Sequence, residues 1–185
     1  MLFGKLSCDV RIGQLQARAV HQVNIESSWK MLTDTCEIIL PRNVTANGWD
    51  IRDLLFVGDP VCVRLGYDGQ LQEEFSGYVY EFETGPPIRV LCQDEMYNLK
   101  QGNFTRSWRS AQLSQVLELI IPAGYTLKAA EAELGKFEID NETPAQVLKR
   151  LAENYRLYSF FIGKTLHVGL PYSIVDGQQH RLQFG

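Results

Sequence analysis

The sequence predicts an α+β protein, in which a small antiparallel β-barrel is followed by an α+β region with two amphipathic helices and a β-hairpin. Three observations carry this. Up to about residue 102, apolar side chains alternate in short runs broken by turn residues, the period of strands. From about residue 103 apolar residues recur at i, i+3, i+4 and i+7, the stripe of a helix packed on one side. Asp68-Gly69 and Gly163-Lys164 each sit between strand-like runs and mark tight hairpins. The chain therefore divides into a β-barrel unit, 1–102, and an α+β unit, 103–185.

In the first unit the candidate strands are Leu6–Ile12, Ala17–Glu26, Thr35–Leu40, Pro60–Tyr67, Gln70–Glu83 and Ile88–Gln93. Asn47-Gly48-Trp49-Asp50 reads as a loop, and Gly85-Pro86-Pro87 stops a strand because proline donates no ladder hydrogen bond. Gly77 inside the long fifth run predicts a bulge or bend of the kind that closes a small barrel. In the second unit Ser110 is placed to cap a helix with Leu113, Val116, Leu117 and Ile120 on its buried face, ended by Pro122 and Gly124. A short strand-like run, Lys136–Asp140, comes next. Thr143, Pro144 and Gln146 then form a capping box with proline at the first helical position, ahead of the stripe Val147, Leu148, Leu151 and Tyr155. Leu157–Ile162 and Thr165–Leu170 form the closing hairpin through a type II′ turn at Gly163-Lys164. Pro171–Gly185 is polar and turn-rich, with one more strand-like fragment.

Composition narrows the function classes. The chain has 185 residues, a net charge of −4, 45% hydrophobic and 22% charged residues, which is ordinary for a globular protein and argues against disorder. No nucleic-acid binding is expected from an acidic chain, because phosphate recognition needs a basic face. No membrane insertion is expected either, since no apolar run approaches the ~20 residues that span a bilayer. Residues 1–5 lack the pattern of a secretory signal, so the expectation is a soluble chain made in the cytoplasm. Cys8, Cys36, Cys62 and Cys92 contain no CxxC pair; the last three lie in apolar strand-like runs and read as buried free thiols. His21, His167 and His180 share no ligand spacing with them, and neither a metal site nor a cofactor is expected.

Chemistry-bearing constellations are few. Glu81 and Glu83 point the same way from one strand, and Asp94-Glu95 follows another. Paired carboxylates are what glycoside hydrolysis uses, but a solvated strand face and a helix start account for these two pairs. No catalytic residues are assigned. Asn43-Val44-Thr45 and Asn103-Phe104-Thr105 match the glycosylation acceptor pattern and are discounted without a secretory signal. Arg106, Trp108 and Arg109 interleave cations and an aromatic ring before the first helix; they read as an interface, where Arg and Trp are enriched. A monomeric β-barrel binding carbohydrate or peptide through Trp49, Tyr78 and Tyr80 is the alternative, and a cell-wall glycoside hydrolase a further one.

The order of motifs resembles the bacteriophage tail baseplate hub family, which includes the late-control gene D proteins and the hub part of type VI secretion spikes. The resemblance runs through Phe56-Val57-Gly58-Asp59-Pro60-Val61-Cys62-Val63, the hairpin Gly66-Tyr67-Asp68-Gly69, Phe75-Ser76-Gly77-Tyr78-Val79, and Pro87-Ile88-Arg89-Val90-Leu91-Cys92-Gln93-Asp94 with Leu99-Lys100. It continues through Thr143-Pro144-Ala145-Gln146-Val147-Leu148 and Phe161-Ile162-Gly163-Lys164-Thr165-Leu166-His167-Val168-Gly169, covering about residues 20–170. It implies a virion structural protein, assembled in the bacterial host cytoplasm, that forms a homotrimeric ring joining the tail tube to the spike and other baseplate proteins. It implies no enzyme activity in this portion. Family hubs usually continue into a second barrel, whereas this sequence stops at Gly185, so the expectation is a fragment or a reduced hub.

Overall fold

The computed structural model describes residues 5–41, 45–46, 49–83, 85 and 87–170. The readings at Asn43-Val44, Asn47-Gly48, Pro86, His180 and the whole of 171–185 lie outside the described residues. The protein is α+β and mostly antiparallel sheet with a few short helices.

The first part contains β1 (Leu6–Ile12), β2 (Leu15–Ala17), β3 (Gln22–Glu26), β4 (Thr35–Leu40), the two-residue strands β5 (Thr45–Ala46) and β6 (Trp49–Asp50), β7 (Pro60–Tyr67), β8 (Gln70–Glu83) and β9 (Ile88–Gln93). Seven of them form one antiparallel sheet in the order β2-β1-β7-β8-β9-β4-β3. Residues that alternate along these strands, among them Val10, Ile38, Val63, Val79 and Val90, are fully buried and belong to one core.

The run expected as a single strand, Ala17–Glu26, is split. Its start ends β2 and its finish is β3, and these are the two opposite edges of the sheet. Only residues 18–21 join them, a connection that spans at most about 18 Å. The sheet must therefore curl until its edges nearly meet. It does not close, however: β2 and β3 share no ladder among the described residues, so the closed barrel expected from the sequence is an open, strongly curved sheet. The curvature comes from bulges in β8, which skip Glu74 opposite β7 and Tyr80 opposite β9 and add local twist.

Gly77, between those bulges, is not itself the bulged residue. A Cβ there would stand 2.0 Å from the Gln93 carbonyl oxygen, so glycine is what lets β9 approach. The hairpin at Asp68-Gly69 is as expected: both residues have positive φ, 51° and 82°, as a type I′ turn demands.

Leaving β9, the chain makes a 3₁₀ helix, Glu95–Lys100, capped by Asp94, whose side chain accepts from the Met96 N–H at 3.1 Å. Met96 and Leu99 already belong to a second core. That core is completed by β10 (Phe104–Gln112), α1 (Leu113–Ile120), β11 (Thr126–Ala129), β12 (Glu133–Glu142), α2 (Pro144–Tyr155), β13 (Tyr158–Ile162) and β14 (Thr165–Gly169). β10 pairs with β12 as a two-stranded ribbon; β13 and β14 form the expected hairpin, and β11 joins β14 in parallel.

Both helices bury the stripes read from the sequence, and Thr143 and Gln146 make the capping box. Tyr155 is only half-buried, its hydroxyl donating to the Leu134 carbonyl. The first cap needs correction. Ser110 lies in β10, and Gln112 caps α1 in a reciprocal pair with Gln115. Extended pairing with β12 claims the backbone as far as Gln112, which leaves the helix no earlier start.

The four cysteines are free, and Cys36 and Cys92 are buried cross-strand neighbours. Burial pushes the Cys36 thiol up to about 12 and raises that of Cys92 as well. Cys62 departs from expectation: it faces outward from β7, half-buried, with its thiol 3.4 Å from a Glu73 oxygen.

Gly77→Ala should lower the melting temperature, because the new Cβ forces the β8–β9 backbones apart. A penalty of about 1–3 kcal/mol corresponds to roughly 3–10 °C for a chain of this size. Gly85→Ala is the control, since nothing lies within 4 Å of its added Cβ. Equal melting temperatures for both variants would contradict the close-approach account.

Candidate functional site

Arg106, Trp108 and Arg109 all lie on β10, a strand the sequence reading missed. Trp108 pairs opposite Phe137 of β12, and their ring centroids are 6.4 Å apart. The indole is half-buried against the second core, so it anchors the ribbon rather than standing out from it. Arg106 and Arg109 are exposed, and neither makes an ion pair among the described residues. Register is lost between Trp108 and Ala111, where Arg109 and Ser110 together oppose one residue of β12. The far edge of β10 is unpaired among the described residues. The structure therefore leaves Arg106 and Arg109 exposed on a strand with one open edge and packs the tryptophan against the second core.

The carboxylates considered for catalysis separate into two groups. Glu81 and Glu83 are exposed on β8, and Glu83 pairs with Arg89 at 3.2 Å. Arg89 also holds Glu37 of β4, and these hydrogen bonds keep the Glu37 carboxyl below the usual carboxylate range. Asp94 and Glu95 are both 8% exposed and line a cleft of about 270 Å³. Asp94 caps the 3₁₀ helix, and burial pushes its carboxyl up to about 7, against the lowering effect of the Met96 N–H.

Glu95 is the residue that sequence reasoning undervalued. Its carboxylate accepts from Tyr125 Oη at 2.6 Å, Asn98 Nδ2 at 3.1 Å and Tyr78 Oη at 3.4 Å. Tyr78 comes from the first sheet, where it stacks on Tyr97, and Tyr125 precedes β11. Tyr78, offered above as a ligand-binding aromatic, is thus engaged inside the protein; Tyr80 is half-buried on the outer face of β8. Among the described residues, no group of three or more His, Cys, Asp or Glu is placed to hold a metal ion. No helix among them is long and apolar enough to cross a membrane.

Exposed apolar side chains stand at opposite ends of β7, and Ile162, 62% exposed, ends β13. Phe56 and Val57, 62% and 58% exposed, precede β7; Tyr67 ends it and pairs with Leu6, at 63% and 69%. An eight-residue strand separates the two spots by about 27 Å. Alternation could not reveal them, because both lie where a strand begins or ends.

No protein-family model matches the sequence, and a search of curated proteins gives no match. Solved structures do match. The tail protein from Neisseria meningitidis MC58 aligns with a TM-score of 0.61 and 20% identity over 89% of this chain and 50% of that one. The 43 kDa tail protein of prophage MuSo2 from Shewanella oneidensis gives 0.65 and 15% over 89% and 53%. A chain of the Francisella PdpA-VgrG complex gives 0.57 and 9% over 90% and 31%. The chain thus spans about half the length of the two tail proteins. At these identities the likeness is one of fold: this α+β arrangement is the one found in those tail proteins.

The raised Asp94 carboxyl has a signed consequence. Its folded value, about 7, lies above the unfolded value of 3.8, so the folded state holds the proton more tightly. The contribution of Asp94 to stability is then full below about pH 4 and falls as pH rises through about 7. Asp94→Asn, which keeps a capping oxygen and cannot ionise, should gain on the parent by roughly 2–4 kcal/mol between about pH 4 and about pH 8. Urea denaturation across that range measures it, and parallel curves for the two proteins would reject the assignment.

Proposed function

We propose that this chain is a structural component of a phage tail or phage-like injection machine, contributing to the baseplate hub that joins the tail tube to the spike. The observation that carries the reading is the shared fold with two tail proteins across 89% of the chain. A chain of the Francisella PdpA-VgrG complex shares the same fold.

The surface fits such a role. Apolar spots at opposite ends of one strand suit contacts that are heterologous, joining one end of a subunit to a different surface of the next. The open edge of β10, with Arg106 and Arg109 on it and Trp108 holding the ribbon in place, is a second contact surface in this reading. The proposal includes a homotrimer, tail tube, spike and other baseplate proteins as partners, and a place in the virion tail after assembly in the host cytoplasm. It keeps two units, 1–102 with a barrel-like curl and 103–185, with the 3₁₀ turn Glu95–Lys100 between the cores. It assigns no catalytic role, and in it Glu81 and Glu83 are a solvated strand face.

Light scattering after size exclusion should give a mass near three times 21.1 kDa, or a monomer that is captured by purified tail-tube and spike proteins. Arg106→Glu with Arg109→Glu should weaken that association about tenfold or more while leaving the melting temperature within about 2 °C, because both side chains are exposed. A monomer that binds neither protein would remove the hub reading. In a cell-wall hydrolysis assay, cleavage by the parent and not by Glu81→Ala/Glu83→Ala would replace it with the enzyme.

A further inference from the structure

One surface of the molecule shares no residue with those the hub reading uses. The loop between β3 and β4 lays Trp29, Lys30, Met31 and Leu32 against α2 and β13. Trp29 meets Tyr158 edge-on, with ring centroids 5.2 Å apart, and Leu32 packs on the second core. A main-chain bond from Met31 N–H to the Ser28 carbonyl and a bond from Ser27 Oγ to Asp34 Oδ2 hold the loop in that pose. Between loop and helix is a groove of about 400 Å³, within the size range of clefts that take a small ligand or a peptide side chain.

Three features of the groove point to an occupant. Lys30, Lys149 and Arg156 line it against a single carboxylate, Glu153, although the chain as a whole is acidic. Trp29 and Met31 keep 48% and 38% of their surface exposed at its rim, an apolar contact set among cations. At its base is Ser159, 3% exposed, whose Oγ is the buried side-chain oxygen without a hydrogen-bond partner among the described residues. A buried hydroxyl left unpaired costs stability, and a ligand acceptor entering the groove would supply what it lacks.

We propose that this groove binds an acidic polypeptide segment of a partner protein. An apolar side chain of the segment rests between Trp29, Met31 and Tyr158, its carboxylates meet Lys30, Lys149 and Arg156, and one acceptor takes the Ser159 hydroxyl proton. A nucleic-acid strand fits less well, because three cations interrupted by Glu153 do not make the continuous basic track that a phosphate backbone needs.

The test is titration of the whole chain, followed through the Trp29 indole N–H resonance, which Trp29→Phe identifies. The blocked peptide Glu-Glu-Phe-Glu-Glu should move it with a dissociation constant on the order of 0.1 mM, and Lys-Lys-Phe-Lys-Lys should not. Lys149→Glu with Arg156→Glu should weaken binding about tenfold. Ser159→Ala should weaken it about threefold while raising the melting temperature of the free protein, opposite signs that a purely structural serine would not produce. No shift with the acidic peptide, an equal shift with the basic one, or tighter binding of a thymidine oligonucleotide would each overturn the proposal. So would a Trp29 resonance that moves with protein concentration alone, which would assign the groove to a second copy of this chain.

Discussion

A buried carboxylate sets the terms on which the two halves of this molecule meet. Glu95 is 8% exposed, and a carboxyl group withdrawn from water that far is tolerated only when hydrogen-bond partners replace the lost hydration. Those partners come from both sides: Tyr78 from the long strand of the first sheet, Asn98 from the 3₁₀ turn, Tyr125 from the approach to β11. Because each must point at the same two oxygens, the first sheet and the second core are held at one separation and one angle. The bond from Tyr125, at 2.6 Å, is reflected in its hydroxyl, which burial and the neighbouring carboxylate make harder to ionise. Asp94, one residue earlier and equally buried, meets the same difficulty differently. Its side chain accepts from the Met96 N–H, and burial holds its proton into the neutral range.

The same contrast between paired and unpaired groups organises the sheet edges. Strand edges left open invite association with other chains, and a chain that must stay soluble guards them. Here β2 is three residues long and β3 alternates polar side chains along its length, so the seam where the first sheet almost closes is short and polar. Asn24 and Gln22 bond to each other there, and Asn24 also reaches Glu37. The long edge of β10 carries no such cover, only charge. An edge that is cationic and interrupted by register shifts against β12 resists promiscuous pairing.

How much of this was legible depended on whether a residue's partner was near in sequence or in kind. Strands buried on one face announced themselves, and β1, β4, β7, β8 and β9 appear with the boundaries read from alternation. β10 did not, because Thr105, Arg106, Ser107, Arg109 and Ser110 are all exposed and the bulge resets the alternation after Trp108. β11 was equally silent: four largely exposed residues that pair in parallel with β14, nearly forty residues later. Arg106, Trp108 and Arg109 were read together as an interface; the two arginines are exposed, and Trp108 is half-buried against the second core. Glu95 looked like a routine first-turn carboxylate, since nothing local hints that tyrosines at 78 and 125 will converge on it. The groove at Trp29 and Ser159 draws on segments some 120 residues apart, beyond the reach of any local pattern.

What the polar groups do inside the protein also bears on what is left for its outside. Glu83 is tied to Arg89, Glu95 to its three donors, Asp94 to the turn it caps. Each of these carboxylates serves a neighbouring side chain or backbone group within the fold. The unsatisfied elements are of another kind: apolar side chains at both ends of β7, guanidiniums on an open strand, an aromatic rim beside a cationic groove. All three gain from being covered by another molecule, and none requires that molecule to change chemically. The distance of roughly 27 Å between the two apolar ends of β7 sets how far apart two molecules must be to cover both at once.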